Sequence, residues 1–172
     1  MNRHDMMQIE VGKLDLHREP TVFQGLLEAA AASLRPLAAG KGLQLLVTMP
    51  NEDVMAWTDR RVFSHIVLSL LRNAIKSTPL GSARLSLGLR TVEGEKMIEI
   101  TVADTGVGIG PGDQARLFSA SPGVEAARPA RAGDTGLGLH VCQRLAGLLG
   151  GKIGLHSEPG KGSTFTLLLP RE

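Results

Sequence analysis

The stretch RRVFSHIVLSLLRNAIKST, which follows Asp59, sets an asparagine and a lysine close together on a segment built like a helix. Projected at about 100° per residue, Phe63, Val67, Leu70, Leu71, Ala74 and Ile75 crowd one side. His65, Ser69, Arg72, Asn73 and Lys76 form a stripe opposite. Asn73 is a mediocre helix former in mid-helix, where a plain surface position more easily takes Glu, Lys or Ala. Its amide oxygen is a hard ligand suited to Mg²⁺, which keeps several waters and binds through phosphates. The Lys76 ammonium would complement those phosphates as a point charge. The same stripe also reads as the solvated face of an amphipathic surface helix, and spacing alone leaves both readings open.

Two glycine-dense loops follow, VADTGVGIGP from Val102 to Pro111 and GDTGLGLH from Gly133 to His140. Asp104 ends an alternating apolar strand, so its carboxylate sits at the mouth of an apolar pocket. It is either an acceptor for an exocyclic amine such as that of adenine, or a turn aspartate bonded to its own backbone. Gly106 and Gly108 would let backbone pass close to a base, although a glycine pattern alone is weak evidence. The second cluster runs straight into a helical pattern. Backbone N–H groups at such a helix entrance point at an anion, and the helix dipole adds to the attraction. A plain turn capped by Asp134 or Thr135 is the alternative. Arg128 and Arg131 are either lid cations for phosphate or solvated charges.

The elements that must position these groups follow from periodicity. Asn2 to Leu16 reads as a helix ended by Glu19-Pro20. Thr21 is placed to cap a second helix, whose apolar stripe is Val22, Leu26, Leu27, Ala30 and Leu34 before Pro36. Gly42–Pro50 and Val54–Trp57 read as strands. Asp59 caps a helix from Arg60 to about Ser77. Ser82–Thr91 and Lys96–Ala103 alternate as an antiparallel hairpin around VEGE. Gly110–Asp134 reads mostly as loop, Leu137–Leu149 as helix, and Lys152–His156 with Ser163–Leu169 as a closing hairpin around EPGKG. Helices gathered beside mainly antiparallel strands predict an α+β two-layer sandwich. A dinucleotide-binding Rossmann fold would need its glycine loop after the first strand, so that reading fails.

The 172 residues suffice for one full domain. With four Phe, one Trp and no Tyr, stacking platforms for single-stranded nucleic acid are not expected. A net charge of +2, spread along the chain, predicts no polyanion partner. The single cysteine, Cys142, excludes an internal disulfide framework and suits a cytoplasmic setting. No apolar run is long enough to span a bilayer, so no membrane contact is expected of this segment.

In order, LLRNAIKST, DTGVGI, DTGLGLHV and GKGSTFTLLLP resemble the catalytic, ATP-binding domain of sensor histidine kinases. That domain belongs to the gyrase–Hsp90–histidine kinase–MutL superfamily. The resemblance implies a Bergerat-type fold, a mixed, mainly antiparallel five-stranded sheet backed by three helices, over residues 20–172. Residues 1–19 are similar to the end of the dimerisation helix and its linker. By the same resemblance Asn73 is the Mg²⁺-coordinating asparagine, Lys76 a phosphate contact and Asp104 the adenine-binding aspartate. Gly106, Gly108 and Ile109 are the first glycine box, with Thr135, Gly136, Leu137, Gly138 and Leu139 the second. Thr164 is expected to help Asp104 hold adenine. The implied cofactors are ATP and Mg²⁺, and the implied partners are a histidine-containing dimerisation domain and a response regulator.

The chain departs from the family pattern at four places. Ser69 stands where the kinases often carry another asparagine and the hydrolysing relatives a glutamate base. Asp134 precedes the second box, and the phenylalanine box is reduced to RLF at Phe118. His4-Asp5 lacks the run that follows a phosphoacceptor histidine, and His17, His65, His140 and His156 read as structural or solvent-facing. The expected function is γ-phosphoryl transfer from ATP to a histidine outside this chain. A nucleotide-binding scaffold in a phosphorelay, or a gyrase- or MutL-type ATPase, are the alternatives.

Overall fold

The computed structural model describes residues 16–108 and 138–171. Along these the elements are β1 (Glu19–Val22), α1 (Phe23–Gly40), β2 (Gln44–Thr48), β3 (Met55–Thr58), α2 (Arg60–Ser77), β4 (Ser82–Val92), β5 (Glu95–Asp104), α3 (Gly138–Leu148), β6 (Lys152–Glu158) and β7 (Gly162–Pro170). One sheet holds five strands in the order β2-β4-β5-β7-β6. Only the β2–β4 pair is parallel. The three helices cover one face, which gives the expected two-layer α+β sandwich with a mixed, mainly antiparallel sheet.

Strand alternation explains why one face is apolar. Leu85, Val102 and Phe165 lie side by side across β4, β5 and β7, and Leu87, Ile100 and Leu167 form the next row. All six are buried in the single large core. The helix stripes complete it: Phe63, Ile66, Val67, Leu70, Leu71 and Ile75 of α2 are each at most 1% exposed. Phe23 of α1 stacks on Phe63, ring centroids 4.8 Å apart, and fixes α1 against α2. No helix of the described residues is long and apolar enough to cross a membrane.

The β4–β5 hairpin turns in two residues, with Val92 paired to Glu95. Glu93 (φ 51°) and Gly94 (φ 82°) both take the left-handed conformation that matches strand twist in such tight turns.

Two local expectations are corrected. Thr21 does not cap a helix: it lies in β1, and Val22 precedes α1 without a side-chain cap. β1 pairs antiparallel with β3 in a separate two-stranded ribbon, and this long-range pairing overrides the local cap signal. Pro36 does not limit α1, which runs on to Gly40. Pro36 and Ala32, whose carbonyl loses its helical donor, are both exposed, so water can satisfy that oxygen. The helix expected over Asn2–Leu16 and the loop expected over Gly110–Asp134 lie outside the described residues, apart from Leu16. Leu16 is non-helical and packs on the core.

Candidate functional site

α2 begins as its sequence dictates. The Asp59 Oδ1 accepts from Arg61 N at 3.0 Å and Val62 N at 3.3 Å, filling two of the orphan donors of the first turn. Its other oxygen accepts from His17 N at 2.8 Å, so the incoming chain is hooked onto the same cap. Arg18 reaches the last carbonyl of α3, that of Leu148, at 3.1 Å. The C-terminal end of α2 is held by Lys41, whose Nζ donates to the carbonyls of Ile75 at 2.7 Å and Lys76 at 3.2 Å. Cations at a helix C-terminus are favoured by the dipole. No local sequence signal marks Lys41 for this role, because its partners lie 34 and 35 residues away.

The polar stripe of α2 emerges as expected. Its apolar side is buried, while His65, Ser69, Asn73 and Lys76 are partly buried and Arg72 is exposed. Ser69 turns toward α3 and hydrogen-bonds the Cys142 thiol, whose pKa burial pushes up to about 12. Burial likewise holds the His65 imidazole below its ordinary value, with the Arg72 charge adding to the effect.

Asp104 stands at the end of β5, 8% exposed. Its Oδ1 accepts from Gly106 N at 2.9 Å and from Ser163 N at 3.3 Å. Burial raises its pKa, against the two backbone hydrogen bonds, which lower it. The pairing register continues the row across the sheet: Ala83 beside Asp104, Asp104 beside Ser163, Ser163 beside Ser157. The inner face is thus apolar for several rows and then ends in a carboxylate and two hydroxyls. Ser157 Oγ lies 2.7 Å from Ser163 Oγ and donates to Gly162 O at 3.0 Å.

Thr164 is not part of this row. It pairs with Ala103 and His156, one step out of phase, on the face away from the helices. The structure therefore brings Ser163, and not Thr164, to Asp104. The sequence does carry the signal: Ser163 is in phase with the apolar Phe165, Leu167 and Leu169, and Thr164 is not.

The first glycine loop is threaded between two pieces of the chain's own backbone. Val107 N donates to Ser77 O, at the end of α2, and Gly160 N donates to Val107 O. A Cβ on Gly106 would collide with the Ser77 carbonyl, and one on Gly108, at φ 75°, with that of Glu158. Close approach is what demands these glycines, as the sequence suggested, but among the described residues the approaching atoms belong to the protein.

Gly138 opens α3, and the Leu139 side chain joins the core, leaving only its backbone for a ligand. Ile109, Thr135, Gly136 and Leu137 lie outside the described residues, as do Arg128, Arg131, Phe118, Asp134 and His4. His156 is 83% exposed, facing Glu158 at 3.9 Å, and His140 is buried, as the structural or solvent-facing reading expects. Among the described residues no cluster of three or more His, Cys, Asp or Glu could hold a metal. A cation here would rest on the amide oxygen of Asn73 and on ligand phosphates, a donor set that fits Mg²⁺.

Comparison with known proteins agrees with this geometry. Residues 58–172 match the family described as histidine kinase-, DNA gyrase B- and HSP90-like ATPase. The chain is 35% identical over 164 residues to the signal transduction histidine-protein kinase BarA of Escherichia coli (strain K12), covering 94% of this chain and 18% of BarA. It is 36% identical over 169 residues to the histidine protein kinase DivJ of Caulobacter vibrioides, covering 96% of this chain and 27% of DivJ. Among solved structures, full-length ShkA in complex with AMPPNP superposes with a TM-score of 0.81 at 26% identity, over 96% of this chain and 34% of that one. The chain thus spans well under a third of the curated relatives it matches here.

Proposed function

Because this chain belongs to the histidine kinase-, DNA gyrase B- and HSP90-like ATPase family, we propose that it holds ATP so that the γ-phosphoryl group passes to a histidine on a dimerisation domain, on the cytoplasmic side. One observation carries this reading: a buried carboxylate, Asp104, ends an otherwise apolar sheet face beside the helix that bears Asn73 and Lys76. Asp104 Oδ2, to which no described residue donates, accepts from the exocyclic amine of the purine. Lys76 lends its charge to the phosphates. The backbone at Gly138 and Leu139, where α3 begins, would serve the anion end, and the family resemblance assigns Thr135, Gly136 and Leu137 to the same glycine box and Ile109 to the first.

Asn73 would hold Mg²⁺, which supplies charge neutralisation on the phosphate oxygens. The chain's own residues do the rest by positioning. The bond between the γ-phosphorus and its bridging oxygen breaks, a phosphorus–nitrogen bond forms on the acceptor imidazole, and the imidazole proton is lost. The phosphohistidine then serves a response regulator.

Hydrolysis of the gyrase or MutL kind is disfavoured on two grounds. Ser69 is no base at neutral pH, and its hydroxyl is engaged with Cys142. Incubating the chain with γ-labelled ATP, Mg²⁺ and a separately supplied dimerisation domain tests the proposal. Label on that domain's histidine is the expected result. ATP binding with no label transferred would leave a nucleotide-binding scaffold.

A further inference from the structure

We propose that Ser157 sets the base specificity of this site by fixing the direction of the Ser163 hydroxyl, so that the base end of the cleft presents hydrogen-bond acceptors only. The inference rests on the nucleotide reading above and deepens it. Ser157 is a positioning residue: it acts through Ser163 and does not touch the base.

The argument is proton bookkeeping in a row of three side chains. Each serine has one proton to donate and lone pairs to accept with. Ser157 Oγ is 3.0 Å from Gly162 O, which can only accept, and 2.7 Å from Ser163 Oγ. Both contacts become hydrogen bonds under one arrangement alone: Ser157 gives its proton to Gly162 O, and Ser163 gives its proton to Ser157. The Ser163 oxygen is then left with lone pairs and no proton to offer. Beside it, across the β5–β7 pair, stands the Asp104 carboxylate, whose Oδ1 already accepts from Gly106 N and from Ser163 N. The two side chains together present lone pairs and no donor.

Such an end matches a purine bearing an amine at its six position, which brings two donors. It opposes a six-oxo purine, whose carbonyl would meet lone pairs and find no donor. A hydroxyl free to rotate would weaken this selection, because it could turn its proton toward the carbonyl. Ser157 removes that freedom. A site whose buried polar groups are left unpaired by the wrong ligand discriminates strongly.

The test uses the whole chain and two nucleotides that differ at the six position, ATP and inosine triphosphate, each titrated with Mg²⁺ by calorimetry. The parent chain is expected to prefer ATP. Ser157→Ala should shrink the ATP-to-inosine preference at least fivefold, while Ser157→Thr, which keeps the hydroxyl, should retain it. Ser163→Ala removes the fixed acceptor and should also shrink the preference, and adding Ser157→Ala to it should change the ratio no further. A merely structural serine would weaken both nucleotides alike and leave their ratio untouched; that result overturns the inference, as does additivity in the double variant. Should the parent chain bind neither nucleotide, the nucleotide reading itself falls.

Discussion

Asp104→Asn separates what this carboxylate does for binding from what it does for the fold. Asparagine preserves the shape and an oxygen at the Oδ1 position, so the hydrogen bonds from Gly106 N and Ser163 N survive. At Oδ2 it substitutes an NH₂ group for an acceptor, and that group would face the exocyclic amine, donor against donor. Losing a hydrogen bond to a charged acceptor costs about 1.5–3 kcal/mol. That corresponds to a dissociation constant roughly 10- to 150-fold weaker. Stability should move the other way, if at all. Burial raises the Asp104 pKa, so the ionised carboxylate burdens the empty fold at neutral pH. With the folded pKa above the unfolded one, the stability that the group contributes is fully present below the unfolded pKa. It is lost as pH rises through the folded pKa. The variant should therefore be at least as stable as the parent at pH 7, by no more than about 1 kcal/mol. This advantage should vanish as the pH is lowered toward 4. Calorimetric titration with ATP and urea unfolding at pH 7 and pH 4 measure both sides. An Asn variant that binds ATP like the parent, or that unfolds more readily at pH 7 than at pH 4 relative to it, refutes the reasoning.

Asn73→Asp adds a negative charge where phosphates are to be held, and should lower phosphotransfer at least about tenfold, one step of roughly 1.4 kcal/mol in the barrier, with an unchanged circular dichroism spectrum. Gly108→Ala forces a side chain into a left-handed position against the Glu158 carbonyl, and should destabilise by about 1–3 kcal/mol. By contrast Gly25→Ala, in open space on α1, should stabilise by roughly 0.5–1 kcal/mol; thermal unfolding reads both. Asp59→Ala strands three N–H groups, those of His17, Arg61 and Val62, at a cost of roughly 2–4 kcal/mol. The melting temperature should fall by about 10 °C; a drop under about 2 °C would contradict the cap's assigned role.

The sequence is most legible where one periodicity acts over many residues. The cap at Asp59 and the bounds of α2, Arg60–Ser77, follow from a cap residue and a sustained apolar stripe. The long hairpin follows from unbroken alternation on either side of Glu93-Gly94. The four-residue β1 and β3 carry no comparable signal, since their pairing joins residues more than thirty positions apart. Thr21, just before an apolar helical stripe, for that reason carries the local signal of a cap. The site shows the same division. Asp104 and the α2 stripe are set by local pattern. Choosing Ser163 over Thr164 depends on the phase of β7 against β5, which the apolar alternation contains but a motif comparison obscures.

The site's geometry is held by backbone more than by side chains, and this bears on how it tolerates change. From Asp104 the chain passes through Gly106 to Val107, whose N–H bonds Ser77, one helical turn beyond Asn73. The carboxylate proposed for the base and the amide proposed for the metal are thus tied to each other through a single short loop. The same loop is clamped from its other side by Gly160 N on Val107 O. The Val107 side chain is exposed and can vary without moving the frame, whereas the Thr105 hydroxyl, although exposed, accepts from Ser82 N at 3.1 Å and ties the loop to the start of β4. Glycine is required where the frame is closest, because a Cβ at Gly106 or Gly108 would push against backbone carbonyls that have nowhere to shift. A chain of this kind can lose or exchange residues such as that at Ser69, on the side of α2 facing α3, and still keep the groups proposed for base and metal in register.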